Sequence, residues 1–200
     1  MTEMLLTVQN AIGELYLDIG MTQEGFQYFQ KAWSTLMYFS PSYLMKDQNL
    51  VKQQGRVLNN LTKSGSEEFL EGNKILEYAT ELSKLLDSNP RDQATMKYTE
   101  GILISIAGNV SLAKIKLEEC LAIRRNLFGE KSILVAEIME HIADLQFFSV
   151  NGERSQRKQV IEYYKQVVKI KGNAEALANS SIIRRQLSLS LSDTLCKLDC

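Results

Sequence analysis

The stretch Gly13-Glu-Leu-Tyr16-Leu-Asp-Ile-Gly20-Met-Thr-Gln-Glu-Gly25-Phe-Gln-Tyr-Phe29-Gln-Lys-Ala32 decides the fold, because its spaced signature of small and large residues occurs twice in the chain. The second copy reads Gly101, Ile104, Gly108, Ala113, Leu117 and Cys120, displaced by 88 residues at every position. Both copies run small, large, Gly, small, large, small at helical spacing. A Gly between two helical runs suits the left-handed end of a helix, and small residues recur where two helices approach closely. Self-similarity at fixed spacing marks a stacked helical array. Arrays of this kind mostly bind other proteins, so the repeat points to a class of function and leaves the partner unnamed.

Working outward, helical periodicity continues along the whole chain and no alternating strand pattern interrupts it. Helices are expected near 3–19, 22–39, 42–63, 67–86, 91–107, 110–128, 132–150, 153–170 and 174–195. The links carry turn residues: Gly20-Met21-Thr22, Ser64-Gly65-Ser66, Asp87-Ser88-Asn89-Pro90, Gly108-Asn109, Asn151-Gly152 and Lys171-Gly172-Asn173. Links this short force neighbouring helices antiparallel. Eight helices pair as four hairpins over 3–40, 42–88, 91–128 and 131–171, and a ninth over 174–196 closes the stack. The expected fold is all-α, a right-handed superhelical array of antiparallel hairpins occupying residues 1–200 as a single domain.

Composition agrees with this. Hydrophobic residues make up 44% and charged residues 24% of 200 residues, enough to bury a core and too apolar for wholesale disorder. The two prolines, Pro41 and Pro90, both fall between helical patterns. A formal net charge of −1 supplies no general attraction to nucleic acid or anionic lipid. No apolar run has the length of a membrane span, and Met1-Thr2-Glu3-Met4 lacks the charged start of a secretory leader. Three cysteines without framework spacing suit reduced thiols, so the expected compartment is the cytoplasm.

The first copy resembles a tetratricopeptide repeat, with Gly13, Gly25 and Ala32 at the small positions and Tyr16 and Phe29 at the large ones. The stretch Leu127-Phe-Gly-Glu-Lys-Ser-Ile-Leu-Val-Ala-Glu-Ile-Met-Glu-His-Ile-Ala-Asp-Leu145 is similar to the longer repeat of kinesin light chains and nephrocystin-3. Gly129, Glu130, Val135, Ala136, Ile142, Ala143 and Leu145 occupy the corresponding places. Ser132 stands where that variant usually carries Pro, Lys131 where it often carries His, and Gln146 where it carries Tyr. The second hairpin fits with an insertion around 64–68 and Gly72, Leu76 and Ala79 in its second helix; the fourth places Val160, Tyr164 and Val167. An array that begins at the first residues without a cap is expected to be part of something larger, or to self-associate through the exposed face. By analogy the resemblance also implies cytoskeletal or ciliary association.

In such an array the first helices line a concave groove that holds an extended or helical peptide. The register places Asn10, Glu14 and Leu17 there, then Arg56, Asn60 and Lys63, then Tyr98, Ile102 and Ser105, then Glu140, Asp144 and Phe147. The trend runs polar, basic, apolar, acidic, which suits a ligand with an acidic stretch opposite Arg56 and Lys63. The Lys and Asn clamp that such arrays use for a terminal carboxylate is not clearly reproduced.

Other chemistry is weaker. Glu137 and His141 are four apart on a helix and could share a metal ion, but His141 is the sole histidine and further ligands are missing, so no metal and no cofactor is expected. Cys196 and Cys200 read as free thiols, and Cys120 as core. Arg184-Arg185-Gln-Leu-Ser188 is a candidate phosphosite for a basophilic kinase. Trp33, Tyr38, Phe39 and Tyr43 read as packing between the first two hairpins. No nucleophile with its base and no phosphate-cradling loop is visible, so the chain reads as no enzyme. RNA binding by a helical repeat is the alternative, opposed by 23 basic against 24 acidic residues. The expected activity is that of a scaffold for a protein or peptide partner, without nucleic acid or membrane.

Overall fold

A computed structural model of the chain describes residues 2–38, 48–65, 70, 75–86, 88–149, 154–178 and 181–199. Among them the regular elements are all helices: α1 (Thr2–Asp18), α2 (Thr22–Tyr38), α3 (Gln48–Ser64), α4 (Ile75–Leu85), α5 (Pro90–Ile106), α6 (Val110–Phe128), α7 (Ile133–Ser149), α8 (Arg154–Leu177) and α9 (Ser181–Asp199). The fold is all-α and of the helical-repeat type. Two compact units divide the chain, Met1–Asn109 with α1 to α5 and Val110–Cys200 with α6 to α9.

The repeated glycines behave alike in detail. Gly20 and Gly108 both adopt φ +82°. After α1, the Gly20 N–H donates to the Leu17 carbonyl at 3.0 Å and Met21 N–H to that of Tyr16 at 2.8 Å. After α5, Gly108 donates to Ser105 at 2.9 Å and Asn109 to Ile104 at 3.1 Å. These are two copies of one left-handed helix cap, which satisfies carbonyls that the helix end would otherwise leave bare. At the other end of α5, Asn89 accepts from the Arg91 and Asp92 N–H groups at 2.9 and 3.4 Å, with Pro90 in the first turn, where its missing N–H costs nothing.

In the N-terminal unit α1 packs on α2 and α3, α3 on α2, α4 and α5, and α4 on α5. Small residues set the closest approach. The Gly13 Cα lies so near the Phe29 ring that an added Cβ would stand 2.4 Å from it, and a Cβ on Gly25 would stand 2.9 Å from the Gly13 carbonyl oxygen. Phe29, Leu36, Leu58, Leu61, Ile75 and Leu82 fill one continuous core without exposure. Trp33 meets the Tyr78 ring of α4 edge-on at 5.3 Å, so it joins the two hairpins as expected. Tyr38 is 87% exposed at the helix end. Phe39, Tyr43 and Gly72 lie outside the described residues.

In the C-terminal unit α7 packs on α6 and α8, and α8 on α9. Cys120 is buried, in keeping with its small-residue position. The break expected at 171–173 is absent: α8 runs through it to Leu177, and α9 starts at Ser181. Gly172 is tolerated inside the helix, where it lies opposite Leu191 of α9, and Lys171 beside it is buried. A single glycine costs a helix about 1 kcal/mol, less than the packing that carries it through.

Candidate functional site

The groove candidates fall in both units, and each unit is described by itself. In the N-terminal unit the part nearest α1 is spent on holding helices together. Asn60 of α3, 7% exposed, donates to Asn10 at 3.0 Å and to Glu14 at 2.9 Å. Asn10 in turn donates to Glu14 at 2.8 Å, and the Arg56 guanidinium spans both Glu14 oxygens at 3.0 and 3.1 Å. Four of the twelve groove candidates thus form one cluster, with the Glu14 carboxylate accepting from the other three.

The next part is more open. Lys63, exposed near the end of α3, holds its ammonium 5.3 Å from the centre of the Tyr98 ring on α5. The ring itself is only 3% exposed, so the cation rests on a fixed aromatic base. Ile102 and Ser105 follow Tyr98 at helical spacing, and both are half-buried, as is Leu17 on α1. Lys52 and Asp92 bridge α3 and α5 more loosely, at 3.9 Å.

In the C-terminal unit Glu140 and Asp144 of α7 are also engaged. Glu140 accepts from the Lys171 ammonium of α8 at 2.6 Å and from the Thr194 hydroxyl of α9 at 2.6 Å. Asp144 accepts from Lys197 of α9 at 3.0 Å and from the Tyr164 hydroxyl of α8 at 2.6 Å. Lys171 also reaches Thr194 Oγ1 at 2.7 Å. Burial alone would raise the Glu140 pKa, but hydrogen bonds from Lys171 and Thr194 and the charges of Lys171 and Lys197 outweigh it and hold the carboxyl below its ordinary 4.5. The Lys197 pKa is raised: burial opposes the charge, and Asp144, Glu140 and Asp193 more than compensate. Phe147 remains 45% exposed.

The remaining candidates fall elsewhere. Glu137 is taken by Arg124 of α6 at 2.6 Å. Burial pulls the neighbouring His141 below its ordinary 6.5, against the pull of Glu137, Asp144 and Glu140. Among the described residues no three His, Cys, Asp or Glu side chains gather as metal ligands, and no helix is long and apolar enough to cross a membrane. Ser188 is half-buried on α9, four residues after Arg184, whose guanidinium donates to the Ala178 carbonyl at 2.7 Å. Cys196 is exposed, and Cys200 lies outside the described residues.

Sequence reasoning missed Lys171, Thr194 and Lys197. The one signal for them was that Glu140 and Asp144 stand 130 residues beyond Asn10 and Glu14, a pair that needs donors from another helix.

No family model matches the chain. Over 99% of its length it is 61% identical to tetratricopeptide repeat protein 41 of Mus musculus and 54% identical to that of Rattus norvegicus. A Homo sapiens protein bearing the tetratricopeptide repeat protein 41 name is 68% identical over the same share. The chain spans only 15% of the length of each of these relatives.

Proposed function

Because the chain belongs to the tetratricopeptide repeat superfamily, we propose that it is a non-catalytic scaffold that binds a peptide segment or helix of a partner protein along the first-helix face of its N-terminal unit. The observation that carries this reading is the exposed Lys63 ammonium seated over the buried Tyr98 ring, with Ile102 and Ser105 continuing the same face of α5. A cation held on a rigid aromatic base is set in place before a ligand arrives, so little ordering cost remains at binding. A carboxylate of the ligand pairs with Lys63, an apolar side chain lies on Ile102, and the Ser105 hydroxyl serves a backbone group. Arg56 adds positive charge, tempered by Glu14. Asn10, Glu14 and Asn60 act beneath this surface as its support.

The test is a quantitative pull-down comparing wild type with Lys63→Glu and with Lys31→Glu, each checked for wild-type melting. Lys31 is a matched control, since it also sits over a tyrosine ring, Tyr28 at 4.5 Å, but within α2. Partners lost with Lys63→Glu and kept with Lys31→Glu support the reading. Identical partner sets for all three proteins would remove the working surface from this face.

A further inference from the structure

The net charge of −1 hides an uneven distribution: residues 1–109 hold 9 basic and 13 acidic side chains, and residues 110–200 hold 14 and 11. Much of the basic excess stands on one side of α8. Arg157, Lys158, Lys165 and Lys169 are all exposed, and at 3.6 residues per turn they share about a third of the helix circumference. The opposite side buries Val160, Tyr164 and Val167, which fixes the cations outward. None of the four makes an ion pair among the described residues. Nearby acids are spent elsewhere. Glu140 and Asp144 hold Lys171 and Lys197, and Glu162, at the edge of the stripe, accepts from Gln166 at 3.3 Å. Ile161 sits between the cations with 42% of its surface exposed.

We infer that this face of α8 docks an acidic helix of a partner protein, one that carries an apolar residue among its carboxylates. Charge complementarity selects an anion, because four unpaired like charges on one short stripe repel one another until carboxylates lie between them. Ile161 selects a protein over a polyanion: a phosphate backbone offers nothing apolar to cover it, whereas an aliphatic side chain does. Lys158, Ile161, Lys165 and Lys169 follow one another at three or four residues, the interval that a second helix can match along its own face. The inference rests on the C-terminal unit alone and is independent of the Lys63 reading.

The probe is a fluorescent, alanine-based helical peptide with one glutamate three residues before a single leucine and two more four and eight residues after it. These are the intervals from Ile161 to Lys158, Lys165 and Lys169. Its binding to the full chain is read by anisotropy at low salt for wild type, Lys165→Glu, Ile161→Ser and Lys131→Glu, each checked for wild-type melting. Lys131 is exposed at the α6–α7 turn, so its reversal makes the same change in net charge away from α8. Lys165→Glu is expected to weaken binding roughly tenfold, through the loss of one exposed ion pair and a new repulsion of similar size. Ile161→Ser should weaken it roughly fivefold, from apolar area no longer covered. Lys131→Glu should leave it unchanged. Failure of the peptide to bind overturns the inference, as does an equal loss with Lys131→Glu, because net charge alone would then drive binding. Wild-type affinity in Ile161→Ser also overturns it, leaving a polyanion site that single-stranded RNA would fill. So does self-association that Lys165→Glu dissolves, since residues 1–109 of a second copy would then be the occupant.

Discussion

The Lys171 ammonium lies 2.6 Å from the Glu140 carboxylate, and the two side chains are only 5% and 14% exposed. A pair this buried gains little net stability over an apolar substitute, yet removing one member strands the other's charge in a poor solvent. Lys171→Ala is therefore expected to cost about 3–5 kcal/mol, measured by urea unfolding at neutral pH. The double change Lys171→Met with Glu140→Leu should recover most of that loss. Equal losses in the single and double variants would show that Thr194 and Ser190, which Lys171 also touches, matter more than the charge.

Acid should loosen the C-terminal unit in two stages. His141 has its folded pKa below 6.5, so as pH falls under 6.5 the unfolded chain takes a proton that the folded chain refuses, and stability declines. Glu140 has its folded pKa below 4.5, so its contribution is complete above 4.5 and is lost as pH falls through the folded value. His141→Gln should abolish the first stage and spare the second, and Glu140→Gln should do the reverse. Melting curves from pH 7 to pH 3 decide it, and a single decline shared by both variants would sink the assignment.

Arg124 ties α6 to α7 with a side chain only 7% exposed, donating to the Leu134 carbonyl at 2.9 Å and to Glu137 at 2.6 Å. Arg124→Met keeps the length and apolar contact but leaves Glu137 without this partner. It should cost about 2 kcal/mol, within the range for a hydrogen bond to a charged group. Arg124→Lys should cost less, because an ammonium can still donate to the Glu137 carboxylate that Arg124 Nη1 now serves together with the Leu134 carbonyl. The order Met, then Lys, then wild type in urea midpoint is the outcome to look for.

What the sequence discloses and what it conceals follow from distance along the chain. Gly20 and Gly108 are legible because the caps they form close over five residues, so local pattern contains the whole cause. The crossing of α1 on α2 is legible for the same reason, Gly13 and Phe29 being one hairpin apart. The inner-face cluster is not. Asn10, Glu14 and Tyr98 all read as ligand contacts from register alone, and only the packing of α3 shows that Asn60 and Arg56 reach the first two while Lys63 covers the third. Gly172 misleads in the opposite sense: a helix end by composition, it is overridden by Lys171 and Leu191, whose partners lie on other helices.

Two glycines should respond to the same substitution with opposite signs. At Gly13 the added Cβ meets Phe29 ring carbons at 2.4, 2.7 and 2.9 Å, and Phe29 is fully buried. Gly13→Ala therefore forces the hairpin apart and should cost about 1–3 kcal/mol, the usual penalty of overpacking. At Gly172 the added Cβ meets only Leu191 Cδ2 at 3.9 Å, an ordinary van der Waals contact, in a helical backbone. Gly172→Ala removes unfolded-state freedom without strain and should stabilise by about 0.4–1 kcal/mol. Because the two glycines belong to different units, the effects should also add in the double variant, with no coupling beyond about 0.5 kcal/mol. Urea unfolding of the four proteins tests all three statements. A destabilising Gly172→Ala would mean that α8 needs a bend at this residue, contrary to its uninterrupted run from Arg154 to Leu177.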